Sequence, residues 1–143
     1  MSPRRKWSGG AKRSGRWRGC KRSGKDGAEV TVQECYTISG GDYEAAIGVF
    51  RREERICRFL RMFPEDPSFG ELEEAMASED AERAFHAVHT LKGVAANLYL
   101  TALHRAASDV TELLRAGDLG SAKVRMPDLR EVYLRTRECT LQV

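Results

Sequence analysis

Hydrophobic residues recur at helical spacing along most of this chain, most clearly in residues 81–98. The apolar positions in that stretch define the buried face of one long helix. They are Ala81, Ala84, Phe85, Val88, Leu91, Ala95 and Leu98. His89 lies outside this face, with His86 and Gly93 one turn away on its own side and Lys92 beside them. We therefore expect an imidazole that reaches solvent from a surface of mostly small side chains.

Further amphipathic helices are predicted on both sides of that stretch, and no two-residue alternation indicates a strand. The predicted helices cover residues 31–38, 43–49, 53–63, 68–77, 101–116 and 118–138. Asp42, Asp80 and Thr101 are expected to cap helix N-termini, and Pro127 should kink or restart the last helix. The pattern therefore predicts an all-α fold. Short loops should place successive helices antiparallel. The architecture expected for residues 29–143 is an up-down four-helix bundle with short leading helices.

One stripe on the third predicted helix, residues 53–63, is expected to face the core. Its members are Ile56, Phe59, Leu60 and Phe63.

Charge divides the chain into two regions that the net charge of +3 conceals. Residues 1–25 hold ten Lys or Arg and no acid, whereas residues 26–143 hold fourteen Lys or Arg against twenty-one Asp or Glu. The segment 1–28 is predicted to be a disordered basic tail, because it has too few apolar groups to offset chain entropy. Its interleaved Trp and Arg could contact nucleic acid, or the segment could be a solvated extension foreign to the domain. The acidic body argues against nucleic acid as the main partner.

Several function classes lack their sequence signals. The four cysteines show neither CxxC pairing nor metal spacing, and His86 and His89 have no third ligand at helical spacing. We find no Gly-rich nucleotide loop and too little chain for an ATP-binding kinase domain, so we predict no metal, no cofactor and no enzyme activity of its own. No apolar run approaches the roughly 18 residues of a membrane span. A cytoplasmic monomer is therefore expected.

A family resemblance starts from His89-Thr90-Leu91-Lys92-Gly93, followed by Val94 to Leu98. This stretch resembles the signature of histidine-containing phosphotransfer (HPt) domains of multistep, bacterial-type phosphorelays. Gly40-Gly41-Asp42 before a short helix also resembles the opening of many such domains, and the resemblance covers about residues 30–138. The chain departs from the family at Tyr99, where the family often has Gly.

The resemblance implies a phosphorelay intermediate whose phosphoacceptor is Nε2 of His89. The donor and acceptor would be receiver-domain aspartates of response regulators or of a hybrid sensor kinase, and that partner would bring Mg²⁺ and most catalytic groups. Lys92 can stabilise the phosphoryl charge, Gly93 leaves the surface open to the partner, and Thr111 is a possible partner of the other ring nitrogen. The docking surface should also include His86, Val94, Ala96 and Asn97, together with apolar residues around Ile38.

Other interpretations remain open at this level. The bundle could dock on a receiver or kinase without carrying phosphate, with Tyr99 as the local hint. Gly93 could permit close helix packing, and His89 could be a surface histidine without a role.

Overall fold

Helices account for nearly all of the chain that the computed structural model describes, which is residues 30–143. The predicted disordered tail, residues 1–28, lies outside the described residues. The elements in chain order are α1 Val32–Ser39, α2 Tyr43–Phe50, α3 Glu53–Met62, a 3₁₀ turn Phe63–Glu65, α4 Ser68–Ala77, α5 Ala81–Asn97, α6 Thr101–Arg115 and α7 Leu119–Leu141. Residues 30–143 contain no strand, so the all-α prediction is confirmed.

Short polar side chains begin several of these helices. Asp42 accepts from the backbone N–H of Ala45 (3.0 Å), and Asp80 accepts from that of Arg83 (3.1 Å). Each carboxylate satisfies an N–H that has no partner inside its helix, which is why the helix begins there. The cap predicted for Thr101 is wrong, because α6 begins at that residue without a side-chain cap.

The last helix runs without interruption through Pro127. The predicted restart at this residue is therefore wrong. Proline in a helix interior removes one hydrogen bond and costs roughly 3 kcal/mol. Ala122 and Leu129, which flank Pro127, are both buried. Burial on either side of the proline offsets this local cost and keeps the two halves in one helix.

The bundle is formed by α4, α5, α6 and α7, joined by short turns. Helix α5 packs against α4 on one side and α6 on the other, and α7 packs against α6 and α1. Of the leading helices, α1 and α3 contact α7, and α2 packs mainly against α3. Helix α5 thus has two neighbours for its apolar face and leaves its opposite face to solvent.

The end of α5 is tied to the leading helices by a buried tyrosine. The Tyr36 hydroxyl donates to the carbonyl of Leu98 (2.7 Å), and burial raises the pKa of this phenol. The backbone N–H of Asp42 donates to the carbonyl of Tyr99 (2.9 Å). A Cβ at Gly41 would lie 2.6 Å from the Tyr36 ring, so this close approach needs glycine. These contacts fix where the exposed face of α5 ends.

The turn between α5 and α6 contains a non-glycine residue in the left-handed region. Tyr99 has a φ of 58°. Glycine adopts this conformation without a steric penalty, whereas other residues pay roughly 1–2 kcal/mol. This backbone requirement accounts for the glycine that the similar family often has at this position. Tyr99 is therefore a feature of the turn rather than evidence for a docking-only role.

In the part of the chain that the structure describes, no helix combines the length and the apolar character needed to cross a bilayer.

Candidate functional site

Helix α5 has one buried face and one exposed face. Its buried residues are Ala84, Ala87, Val88, Leu91 and Ala95. His89 and His86 are exposed on the other side, as the apolar periodicity predicts. Because α5 is seventeen residues long and packed on both sides, it presents these imidazoles from a rigid support.

The ring of His89 contacts an aromatic side chain of its own helix. The centroids of the Phe85 and His89 rings lie 5.7 Å apart, with 32° between the ring planes. The ring of His86 meets Phe85 in an edge-on arrangement at 5.9 Å. Helix α6 adds a cation, since the guanidinium carbon of Arg115 lies 5.3 Å from the centroid of Phe85. We call these four residues the Phe85 cluster.

Lys92 is half-buried one turn beyond His89 on the same helix. Residues at this spacing have Cβ atoms about 5–6 Å apart, so a flexible lysine can bring its ammonium to a group bound on His89. Lys92 forms no salt bridge with the carboxylates of residues 30–143. Its charge is therefore available to an incoming anion.

Gly93 faces open solvent. A Cβ built on this residue would meet no atom within 4 Å apart from its own helix backbone and chain neighbours. The alternative that Gly93 permits close helix packing is wrong, because no neighbouring helix approaches it. The missing side chain leaves a flat, accessible strip of helix backbone next to His89.

The remaining predicted docking residues of α5 surround this strip. His86, Ala96 and Asn97 are exposed, and Val94 is half-buried. Ile38, on α1, exposes 44% of its surface. The structure therefore leaves all five side chains accessible, at least in part, to another protein.

A groove of about 720 Å³ borders this surface and was not predicted from the sequence. Phe50, Phe59 and Met62 line it together with Val94 and Asn97 of α5. The predicted inward orientation of Phe59 is wrong, because this residue is 41% exposed and packs against Phe50. An exposed apolar patch of this kind is typical of protein interaction surfaces. The sequence feature that could have indicated this groove is the apolar Met62, which lies next to the buried stripe of α3.

Thr111 is buried on α6, and its hydroxyl donates to the carbonyl of Ala107 (2.7 Å). The described residues show no hydrogen bond between Thr111 and His89. The ring contact that the structure does show for His89 is with Phe85. Sequence reasoning missed this contact, although the four-residue spacing of the two aromatic rings was the available signal.

Among residues 30–143, no group of three or more His, Cys, Asp or Glu side chains could hold a metal ion. The chemistry that α5 itself presents is that of an accessible imidazole nucleophile with a neighbouring ammonium.

Comparison with known protein families gives one finding for this chain. The family model for the Hpt domain matches residues 57–138. The match includes all of α5 and α6 and most of α7. No curated protein and no solved structure matches the chain significantly.

Proposed function

Because the chain belongs to the Hpt domain family, we propose that it is a phosphorelay intermediate that carries its phosphoryl group on His89. Domains of this family take part in histidine phosphotransfer and interact with receiver domains and kinases. They are phosphotransfer carriers rather than classical enzymes. For this chain, the donor and the final acceptor would each be a receiver-domain aspartate.

The observation that carries this proposal is the surroundings of His89. The ring is exposed on a rigid helix, Lys92 follows one turn later, and Gly93 leaves the adjacent backbone open. Other histidines of the chain lack this combination, since neither His86 nor His104 is followed by a lysine and a glycine at this spacing.

The reaction can be written with these groups. The lone pair of Nε2 of His89 attacks the phosphorus of the partner's aspartyl phosphate. A P–N bond forms while the P–O bond to the aspartate breaks, and the carboxylate leaves with the electron pair. Lys92 stabilises negative charge on the phosphoryl oxygens. Transfer to a second receiver is the reverse process with another carboxylate as nucleophile.

Phosphorylation of the full chain tests the proposal. The protein is incubated with ³²P-labelled phosphorylated receiver domains, and separately with phosphoramidate, a small-molecule donor that requires no docking. We expect an acid-labile, alkali-stable phosphate that mass spectrometry maps to His89. His89→Gln should abolish labelling by either donor, whereas His86→Gln and His104→Gln should retain labelling by phosphoramidate.

Two outcomes would contradict the assignment. Labelling that survives unchanged in His89→Gln would place the phosphate elsewhere. Equal receiver binding by wild type and His89→Gln, without phosphohistidine in either protein, would indicate a docking module that carries no phosphate.

A further inference from the structure

The Phe85 cluster contains a contact that the proposed transfer chemistry does not use. Phe85 is half-buried at the edge of the bundle core and holds ring contacts with both imidazoles of the exposed face. Phe85 packs against the core but is only partly buried, so part of its ring is left to contact the imidazoles.

An exposed histidine on a helix has several side-chain rotamers available to it. Productive attack on phosphorus needs Nε2 in one narrow range of directions, so rotamers that point the nitrogen elsewhere reduce the rate. The Phe85 ring lies 5.7 Å from the His89 ring with a 32° tilt, within the range of favourable aromatic pairs. This contact favours the rotamers in which the imidazole lies against Phe85.

Phe85 is itself held by a cation from the neighbouring helix. The Arg115 guanidinium lies 5.3 Å from the Phe85 centroid, in range for a cation–π interaction. Nε of Arg115 is paired with Glu112 one turn earlier at 3.3 Å, which limits where the guanidinium can go. The contacts therefore run from Glu112 through Arg115 and Phe85 to His89.

We propose that Phe85, held by Arg115, is a positioning residue that orients the His89 ring for phosphoryl transfer. This inference rests on the proposed function of His89. It assigns to Phe85 no contact with the phosphoryl group. The role needs an aromatic face at residue 85, so Phe85→Tyr should keep it and Phe85→Leu should lose it.

The test uses the full chain and phosphoramidate, so that partner docking does not contribute. In this reaction Nε2 of His89 forms a bond to phosphorus, and the P–N bond to the amino group breaks with release of ammonia. We expect Phe85→Leu to lower the maximal rate constant about two- to tenfold, the size that the loss of one aromatic pair allows. The phosphoramidate concentration at half-maximal rate should not change. Phe85→Tyr should restore the rate.

Proton NMR supplies a readout that a general loss of stability would not mimic. The chain has three histidines, so the His89 ring protons can be assigned with the His86→Gln and His104→Gln variants. These protons should carry a ring-current shift in wild type and Phe85→Tyr, and should move toward free-histidine positions in Phe85→Leu. Circular dichroism should show the same helix content in all three proteins.

Arg115→Gln and Arg115→Lys test the second part of the proposal. The glutamine variant should reduce the ring-current shift on His89 and lower the rate, and the lysine variant should restore part of both. Arg125→Gln is the matched control, because Arg125 on α7 is also exposed and paired with a carboxylate one turn away, that of Asp128, at 3.9 Å. That variant removes the same charge away from the cluster and should leave rate and spectrum unchanged.

The possible failures are distinguishable. If wild type gives no phosphohistidine, the proposed function is wrong, whatever the spectra show. If wild type is labelled on His89 and Phe85→Leu is labelled at the same rate, the positioning role is wrong while the phosphoacceptor stands. If Arg115→Gln slows labelling but Phe85→Leu does not, the arginine acts on the phosphoryl charge directly, and the proposal for Phe85 fails.

Discussion

Replacement of Gly93 by alanine should stabilise the fold and impair transfer between proteins. The residue lies inside the seventeen-residue helix α5, where glycine is less favourable than alanine by about 0.8–1.0 kcal/mol. The added Cβ would meet no atom within 4 Å, so no steric penalty reduces this gain. We expect the free energy of unfolding to rise by about 1 kcal/mol. For a domain of this size, the melting temperature should rise by roughly 4 °C.

The same methyl group should interfere with a docked partner. Extra methyl groups in a well-packed contact cost about 1–3 kcal/mol, and 1.4 kcal/mol corresponds to a factor of ten. We therefore expect transfer from a phosphorylated receiver to fall about tenfold. Labelling by phosphoramidate should not change, because this small donor does not cover the surface around Gly93.

Gly70→Ala is the matched control for this prediction. Gly70 is also helical and exposed, and a Cβ there also meets no atom within 4 Å. It lies on α4, so the variant should gain stability without losing transfer. Urea unfolding measures the effect on stability, and time courses of phosphoryl transfer from a phosphorylated receiver measure the effect on transfer. If Gly93→Ala transfers phosphate at the wild-type rate, the close-approach argument is wrong. If its free energy of unfolding is lower than that of wild type, the stability argument is wrong.

Three further predictions concern the interior of the protein. Gly41→Ala should lower the free energy of unfolding by about 1–3 kcal/mol in urea titrations, because its Cβ would lie 2.6 Å from the Tyr36 ring. Gly48→Ala is the control and should not lower this free energy, because a Cβ at Gly48 meets no atom within 4 Å. Burial raises the pKa of Tyr36, so the unfolded chain releases this proton at a lower pH than the folded protein does. Stability should therefore fall as the pH rises above about 10, and should fall less steeply in Tyr36→Phe. Cys35 and Cys139 are buried with their sulfur atoms 2.8 Å apart. Iodoacetamide should therefore modify them only after urea unfolding, which peptide mass mapping can show. Rapid modification in the native protein would contradict their burial.

The features that the sequence predicted best are those decided within one or two helical turns. The caps at Asp42 and Asp80 depend on a carboxylate three residues from the N–H it accepts, so no distant contact is needed. The exposure of His89 follows from the periodicity of one helix in the same way. These local rules were sufficient to place the imidazole on the surface of an all-α fold.

Features that depend on tertiary contacts were not predictable from these rules. Pro127 continues a helix because both flanking halves are buried, which no local propensity indicates. Phe59 belongs by spacing to the buried stripe of α3, yet it lies at the edge and faces a groove that α2 and α5 complete. The cation over Phe85 comes from Arg115 on another helix. Each case requires knowledge of which helix lies next to which.

The residues that stabilise the fold and the residues proposed for transfer lie on different faces of α5. Substitutions can therefore test the proposals without disturbing the core. Ala84, Val88 and Leu91 are fully buried, and changes there would alter folding before they altered chemistry. His89 and Gly93 on the opposite face are exposed, so His89→Gln and Gly93→Ala remove the chemistry or the access without removing core contacts. Any loss of transfer in these two variants, with an unfolding free energy at or above that of wild type, therefore reports on the exposed face itself.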